Sequence, residues 1–208
     1  MILTFTDDQK ANIKLLMTAS KGCPLAFQAA LFGITGCECE WMPQEESCHY
    51  TSKDRIKAIF SFLSDSEAES LVGCTDKAHF FSVVYGPTHR GAGFLGNLSD
   101  EDAGKFFGRG FIQLTGRGNY QKFSTICGID FMTKPELMNE PESAAKAAVA
   151  FLKQGLKPVM PNDPALYFEA LQKVVGKDVS NGRKLALYNW YLSDYSTAVK
   201  VGIPSMFS

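Results

Sequence analysis

Hydrophobic residues recur at intervals of three and four along most of the chain, which is the spacing of amphipathic helices. Thr6 and Gln9 form a capping-box pattern in front of the first such stretch. Pro24 suits the first position of a second helix, and Ser52 can cap a third. Further helices are predicted at 66–72, 76–85, around 119–127, 141–154, 164–175 and 183–195.

Strand patterns are few, and the best lies at residues 111–115. In an extended chain Ile112 and Leu114 would anchor to the core, and Gln113 and Thr115 would point to the opposite surface. There an amide and a hydroxyl could hold a water and a sugar or N-acetyl group. The preceding residues 86–110 are rich in glycine and have no helical period, so they are predicted to form a long loop.

The composition fits one globular domain. The 208 residues, 45% of them hydrophobic, suffice for a single core, and no repeat or polar linker divides them. The 21 Lys and Arg nearly cancel the 22 Asp and Glu, which leaves no overall attraction to nucleic acid or anionic lipid. No stretch has the length of a membrane span, and the first residues carry no secretion signal. We therefore expect one domain over 1–208, synthesised in the cytosol, with no nucleic-acid partner and no membrane insertion.

Six cysteines are spread along the chain. Without a secretion signal, free thiols are expected rather than a disulfide framework. Cys37 and Cys39, with Cys48 and His49, could be interpreted as a zinc site, but Cys-x-Cys is an unusual spacing and no second Cys-x-x-Cys pair follows. The sequence therefore favours no metal site and implies no cofactor.

Acidic residues concentrate in "GCECEWMPQEESCHY", residues 36–50. If the helix that starts near Pro24 continues, Glu38 extends its apolar stripe inward, and Glu40 lies about 200° around the axis. Burial would raise the pKa of Glu38, as a general acid near neutral pH requires. In the alternative interpretation the helix ends in solvent and every glutamate is hydrated, and the pattern does not decide between the two.

Pro43 would end that helix and allow the chain to fold back across its end. Such a reversal could place Glu46 across a cleft from Glu38. Two carboxylates in different environments are the minimal equipment for glycoside hydrolysis.

The stretch "FGRGFIQLTGRGNY", residues 107–120, resembles the signature segment of glycoside hydrolase family 19, which contains plant-type chitinases and many bacteriophage endolysins. The segments "EESCHYTSKDRI", "KPELMNEPESAAKAAVAFL" and "NGRKLALY" are similar to other parts of that family. The resemblance covers roughly residues 25–190. Cys37 stands where the family usually has His, and "VVGKDVSNG" replaces its late Asn-Gly-Gly turn.

The resemblance implies roles for individual residues. Glu38 would be the general acid, Glu46 the general base, and Thr115 the hydroxyl that helps hold the attacking water. Glu40 remains an alternative to Glu46 as the second carboxylate, and the role of Asn181 is left open. The resemblance implies that Gln113, Asn119 and Tyr50 bind the substrate, and it leaves open the role of Arg183, a further candidate. Trp41 closely follows the implied acid in the sequence, so we favour a substrate-binding cleft position over a core position for it.

The family implies a mainly α, lysozyme-like, two-lobed helical domain with a substrate cleft and a short β-hairpin or small sheet. The implied reaction is inverting hydrolysis of β-1,4 bonds between N-acetylated hexosamines. We favour peptidoglycan over chitin because the chain is short, like the phage-type members, and lacks the signal peptide of secreted plant chitinases and a disulfide framework. The expected absence of a separate wall-binding module indicates a thin, Gram-negative-type wall.

The expected protein is a monomeric, muramidase-like lysis enzyme. It would be made in the host cytoplasm and would reach the wall in the periplasm with the help of a separate, holin-like membrane-permeabilising protein. The alternatives are a chitinase of the same fold and a catalytically inactive glycan-binding protein. The sequence leaves open which peptidoglycan bond is cut.

Overall fold

The computed structural model describes residues 3–155 and 182–195, and over these residues the chain is mainly helical with a small two-stranded sheet. The α-helices are α1 (Asp7–Ala19), α2 (Leu25–Glu38), α3 (Lys53–Ile59), α4 (Asp65–Ser70), α5 (Lys77–Tyr85), α6 (Pro87–Arg90), α7 (Asp100–Lys105), α8 (Arg117–Cys127), α9 (Pro141–Gly155) and α10 (Gly182–Trp190). Strands β1 (Gln44–Glu45) and β2 (Arg109–Gly110) pair with each other. Short 3₁₀-helices occupy Phe94–Gly96 and Pro135–Asn139, and a π-helical turn, Tyr191–Tyr195, follows α10.

Side-chain caps set where the helices begin. Thr6 Oγ1 accepts the Gln9 N–H at 3.2 Å and Gln9 Oε1 accepts the Thr6 N–H at 3.0 Å, which confirms the predicted capping box of α1. The Ser52 hydroxyl accepts the Arg55 N–H at 3.3 Å, which confirms the cap of α3. The helices predicted at 66–72, 76–85, 119–127, 141–154 and 183–195 correspond to α4, α5, α8, α9, and α10 with its π-helical turn. The helix predicted at 164–175 lies outside the described residues.

The prediction of one long loop at residues 86–110 is wrong. Pro87 starts α6, and Ser99 caps α7 by accepting the Asp102 N–H at 3.3 Å. These helices are only a turn or two long, so they contain too few residues to show a hydrophobic period.

The strand predicted at residues 111–115 is also wrong, because the chain turns there. Gly110 and Gln113 adopt positive φ angles of 85° and 52°. Arg109 and Leu114 form an antiparallel bridge, with the Leu114 N–H donating to the Arg109 carbonyl at 2.9 Å. The alternation of faces therefore fails, and Phe111 and Leu114 are both buried.

The chain divides into two compact units. Unit 1 comprises Met1–Gln44, Gly110–Ile112 and Met138–Ser208. In its core α1 packs on α9 and α2 packs on α10. Residues 29–36 of α2 are all buried, so this helix is covered on every side.

Unit 2 comprises Glu45–Arg109 and Gln113–Leu137. Helix α5 packs on α7, and the core is rich in aromatic rings, with Phe81 stacked on Phe107 at a centroid distance of 4.8 Å. The buried Asn97 side chain donates to the Tyr85 carbonyl at 3.2 Å and accepts the Arg117 N–H at 2.9 Å. It thereby ties the end of α5 to the start of α8. Among the helices of the described residues, none combines the length and apolar character of a membrane span.

Candidate active site

A partly buried carboxyl group, Glu46, is the centre of the candidate site in unit 2. Strand pairing places it, because the Glu46 N–H donates to the Gly108 carbonyl at 2.8 Å. The Tyr85 hydroxyl donates to Glu46 Oε1 at 2.6 Å, and the Gly108 N–H donates to Oε2 at 3.3 Å. Each carboxyl oxygen thus has a donor from a different part of unit 2.

The environment of Glu46 changes its proton affinity. Burial raises the pKa of Glu46 above its ordinary value, although the donors Tyr85 and Gly108 and the charge of Lys77 act in the opposite direction. Burial and the charge of Glu46 also raise the pKa of the Tyr85 hydroxyl, so that this hydroxyl keeps its proton and acts as a donor. A carboxyl group of this kind can take up or release a proton closer to neutral pH than an exposed glutamate.

Gly108 permits the segment of residues 107–120 to lie close to this carboxyl group. A Cβ atom at Gly108 would lie 2.8 Å from Glu46 Oε2 and 3.2 Å from Gln113 Oε1. Glycine therefore leaves the space in which the carboxyl group and the Gln113 amide face the same backbone position. The structure brings Glu46 and Gln113 together although they are far apart in the sequence.

Thr115 and Asn119, the latter in the first turn of α8, continue the site but form hydrogen bonds within their own segment. The Thr115 hydroxyl donates to the Gln113 carbonyl at 3.0 Å, and the Asn119 amide donates to the Thr115 carbonyl at 2.8 Å. Both side chains are partly buried. The prediction that Thr115 and Gln113 stand side by side on a flat strand is wrong, because the turn at Gln113 directs the hydroxyl back toward the loop.

Tyr50 also belongs to unit 2. Its ring stacks on Phe80 at 5.3 Å and meets Phe60 edge-on at 6.1 Å. Burial and the nearby charge of Glu46 raise the pKa of the Tyr50 hydroxyl. Tyr50 is thus partly buried and within electrostatic range of the Glu46 carboxyl group.

An ion-pair cluster lies beside Glu46 that the sequence did not indicate. Glu45 accepts hydrogen bonds from Lys77 Nζ and from Arg109 Nε, each at 2.8 Å. Burial acts to raise the pKa of Glu45, but these two cations outweigh it and hold the pKa below the ordinary value. The guanidinium of Arg109 also lies 3.7 Å from the centre of the Phe107 ring. Glu45 therefore stays ionised while its neighbour Glu46 is the easier of the two to protonate.

Glu38 lies in unit 1 as the last residue of α2. Its side chain is 34% exposed and pairs with Lys184, whose own side chain is 6% exposed. Of the two interpretations that the pattern left open, the one in which the apolar stripe carries Glu38 inward is wrong. Because α2 is buried on every side, the position of Glu38 around the helix axis does not predict whether its side chain is buried.

The chain reverses directly after α2, earlier than Pro43. Glu40 and Trp41 adopt positive φ angles of 51° and 57°, and the Trp41 N–H donates to the Thr35 carbonyl at 3.2 Å. Glu40 is exposed, and its carbonyl accepts the Gln9 side-chain amide at 3.0 Å. Of the two candidates for the second carboxylate, Glu46 has the protected environment and Glu40 does not.

The predicted cleft position of Trp41 is wrong. Its side chain is 5% exposed within the core of unit 1, and the indole N–H donates to the Phe32 carbonyl at 3.0 Å. The ring packs edge-on against Phe5 at 5.1 Å. With 5% of the side chain exposed and the N–H bonded within unit 1, this indole offers no surface to a sugar ring.

The remaining predicted residues divide between the described and undescribed parts of the chain. Asn181 and the side chain of Arg183 lie outside the described residues. All six cysteines are free thiols, with Cys39 and Cys48 buried. Within residues 3–155 and 182–195, no group of three or more His, Cys, Asp or Glu side chains is arranged to hold a metal ion.

The structure thus collects five of the predicted residues in unit 2 and assigns Glu38 and Trp41 to unit 1. The five are Glu46, Gln113, Thr115, Asn119 and Tyr50. Sequence reasoning missed Tyr85 and Lys77, which are single residues at the two ends of α5 with no motif around them. It also missed the roles of Arg109 and Lys184, because their partners Glu45 and Glu38 are far away in the sequence. No protein-family model matches this chain, and no curated protein matches it.

Proposed function

We propose that this protein is an endolysin-type glycoside hydrolase that cleaves β-1,4 bonds of peptidoglycan glycan strands. One observation carries the proposal. The glutamate that the family resemblance marks as general base lies against the signature segment, where Gly108 separates its carboxyl group from the Gln113 amide. A random resemblance would give no reason for these two segments to meet.

The chemistry of Glu46 supports a general-base role. A base works best when its pKa lies near the working pH, and burial raises the pKa of Glu46 in that direction. The Tyr85 and Gly108 donors orient its two oxygens. In the proposed reaction Glu46 removes a proton from water, and the water oxygen attacks the anomeric carbon from the face opposite the leaving sugar.

The proposed acid is Glu38, a role that rests on the resemblance. Glu38 would give its proton to the leaving glycosidic oxygen. Gln113, Asn119 and Tyr50 are proposed to bind the sugar. The lysozyme-like, two-lobed arrangement with a substrate cleft is part of the same proposal, as are the single catalytic domain and the monomeric state.

Digestion of purified walls tests the proposal. The purified protein should clear bacterial sacculi but leave glycol chitin intact, and Glu46→Gln should abolish clearing. Cleavage of chitin alone would identify a chitinase of the same fold. Binding to either polymer without cleavage would identify an inactive glycan-binding protein.

The products define the reaction further. Mass spectrometry of the released muropeptides shows which sugar carries the new reducing end and therefore which bond is cut. NMR of the fresh product should show inverted anomeric configuration, because the proposed base activates water directly. Retained configuration would contradict the role of Glu46 as a base.

The proposed cellular setting is testable in the same host. If the enzyme is made in the cytoplasm and depends on a separate permeabilising protein, expression alone should leave cells intact. Addition of a membrane-permeabilising agent should then cause lysis within minutes. Lysis without such an agent would contradict this part of the proposal.

A further inference from the structure

Tyr85 makes a short contact with the carboxyl group of the candidate site. Its hydroxyl lies 2.6 Å from Glu46 Oε1, within the range of O–H···O⁻ hydrogen bonds to an ionised acceptor. The Gly108 N–H lies 3.3 Å from the other oxygen, which is a longer and weaker contact. Of these two donors, Tyr85 is therefore the stronger.

The phenol ring of Tyr85 is held in place independently of Glu46. It stacks on Phe81 with centroids 5.6 Å apart and planes 7° apart, and Phe60 packs edge-on against it at 6.2 Å. The Tyr85 carbonyl accepts the Asn97 side-chain amide at 3.2 Å. Because ring and backbone are both fixed, the hydroxyl is already positioned for the carboxylate.

We infer that Tyr85 is a positioning residue for the proposed reaction, holding the Glu46 carboxyl group in one orientation and favouring its ionised form. The inference rests on the proposed function, in which Glu46 is the base. A base must be both correctly aimed and unprotonated, and burial alone opposes the second requirement. A hydrogen bond to the ionised carboxylate lowers the pKa and so opposes the increase that burial causes.

Other charged or titratable groups also surround Glu46. Lys77 favours its ionised form, and Lys77 is itself paired with Glu45, which Arg109 also contacts. Burial raises the pKa of Tyr50, and it raises the pKa of Tyr120 to about 12, so both phenols are neutral near pH 7. His49 is exposed on the same segment as Glu46. These groups remain in place when only the Tyr85 hydroxyl is removed.

The direction of the effect follows from the roles of the two groups. Tyr85→Phe deletes a donor that favours the ionised form and retains the stacked ring. Burial then acts with less opposition, so the pKa of Glu46 should rise further, on the order of one unit for the loss of a hydrogen bond to a charge. The acidic limb of the kcat/KM profile should move to higher pH by the same amount.

The direct measurement is ¹³C NMR titration of the glutamate carboxyl carbons, with the Glu46 signal assigned from Glu46→Gln. Tyr85→Phe should shift the Glu46 titration upward. Tyr191→Phe is the matched control, because its buried hydroxyl donates to the neutral Gln28 amide oxygen at 3.0 Å in unit 1. That variant should leave the Glu46 titration where it is in the unmodified protein.

A second change covers the case in which Tyr85→Phe does not fold. Fluorotyrosine at position 85 keeps the ring and makes the hydroxyl a stronger donor, so the pKa of Glu46 should fall. An unchanged Glu46 titration in either folded protein would overturn the inference.

The titration needs no substrate, which separates the inference from the proposed function. Inactivity of the unmodified protein on sacculi and chitin would refute the hydrolase proposal, whatever the titration shows. A digesting enzyme in which both Tyr85 changes leave the titration and the acidic limb unmoved would refute only the positioning role.

Discussion

Gly108→Ala would add one methyl group between the Glu46 carboxyl group and the Gln113 amide. The new carbon would lie 2.8 Å from Glu46 Oε2, whereas ordinary contact begins at 3.4 Å, so the oxygen must move by about 0.6 Å. A displacement of that size can lengthen the hydrogen bond from the Tyr85 hydroxyl to Glu46 Oε1 from 2.6 Å to about 3.2 Å, which is beyond the usual O–H···O range. The substitution therefore acts on the position of the carboxyl group more than on the fold.

Two opposing effects keep the stability change small. A weakened hydrogen bond to Glu46 costs about 1 kcal/mol. Replacing glycine by alanine where φ is not positive restricts the unfolded chain and stabilises by about 0.4–1 kcal/mol. We therefore expect the free energy of unfolding to change by less than about 1 kcal/mol, and kcat/KM on sacculi to fall on the order of 100-fold, because catalysis is far more sensitive than folding to such a displacement.

Urea unfolding and initial rates of sacculus digestion measure the two quantities on the same sample. Gly118→Ala is the control, since its Cβ would meet the Leu95 carbonyl at 3.3 Å and no atom of Glu46. It should retain the rate within about twofold, since the nearest atoms to the added methyl group belong to Leu95 and Gly96 and alanine is preferred over glycine within a helix. A Gly108→Ala protein with normal stability and normal rate would show that the position of the Glu46 carboxyl group does not matter for activity.

Three further predictions concern the carboxylates and Thr115. Burial places the pKa of Glu46 above its unfolded value, so this group contributes stability below the unfolded pKa, and that stability is lost as pH rises through the folded pKa. Glu46→Gln should therefore have a higher melting temperature than the native protein at pH 7 and lose this advantage near pH 4. Calorimetry that finds no such pH dependence would contradict the raised pKa. Glu38→Gln should reduce the rate of sacculus digestion on the order of 100-fold, whereas the exposed Glu40→Gln should reduce it little; equal losses would return Glu40 to consideration as the second carboxylate. Thr115→Val removes the hydroxyl that donates to the Gln113 carbonyl. It should lower the free energy of unfolding in urea by about 1 kcal/mol and also lower kcat. A large loss of stability at unchanged kcat would make Thr115 a purely structural residue.

Local chemistry was enough to predict most of the helices. The hydroxyl caps at Thr6 and Ser52 act between residues three apart, so the sequence contains all the information about them. The Pro141 start of α9 is local in the same sense. Residues 111–115 differ, because their turn depends on a positive φ angle at Gln113. Glutamine rarely adopts this conformation, so the residue type does not predict the turn.

The candidate site could be predicted only in part, for a similar reason. The resemblance singled out Glu46 and Gln113, and the structure brings them together. Their partner Tyr85 ends a separate helix, and nothing near it in sequence indicates that its hydroxyl faces a carboxyl group. For Trp41 a position near the proposed acid favoured a cleft, but burial against Phe5 and Phe32 determines where this large apolar side chain lies.

The division of unit 1 into separate stretches of sequence has a consequence for protein synthesis. Helices α1 and α2 leave the ribosome long before α9 and α10, the helices that pack on them, because all of unit 2 is translated in between. A nascent chain that has reached residue 137 therefore contains all of unit 2 but exposes the apolar surface of α2. We expect unit 2 to become compact first and the α1–α2 segment to need shielding by chaperones until translation passes α10.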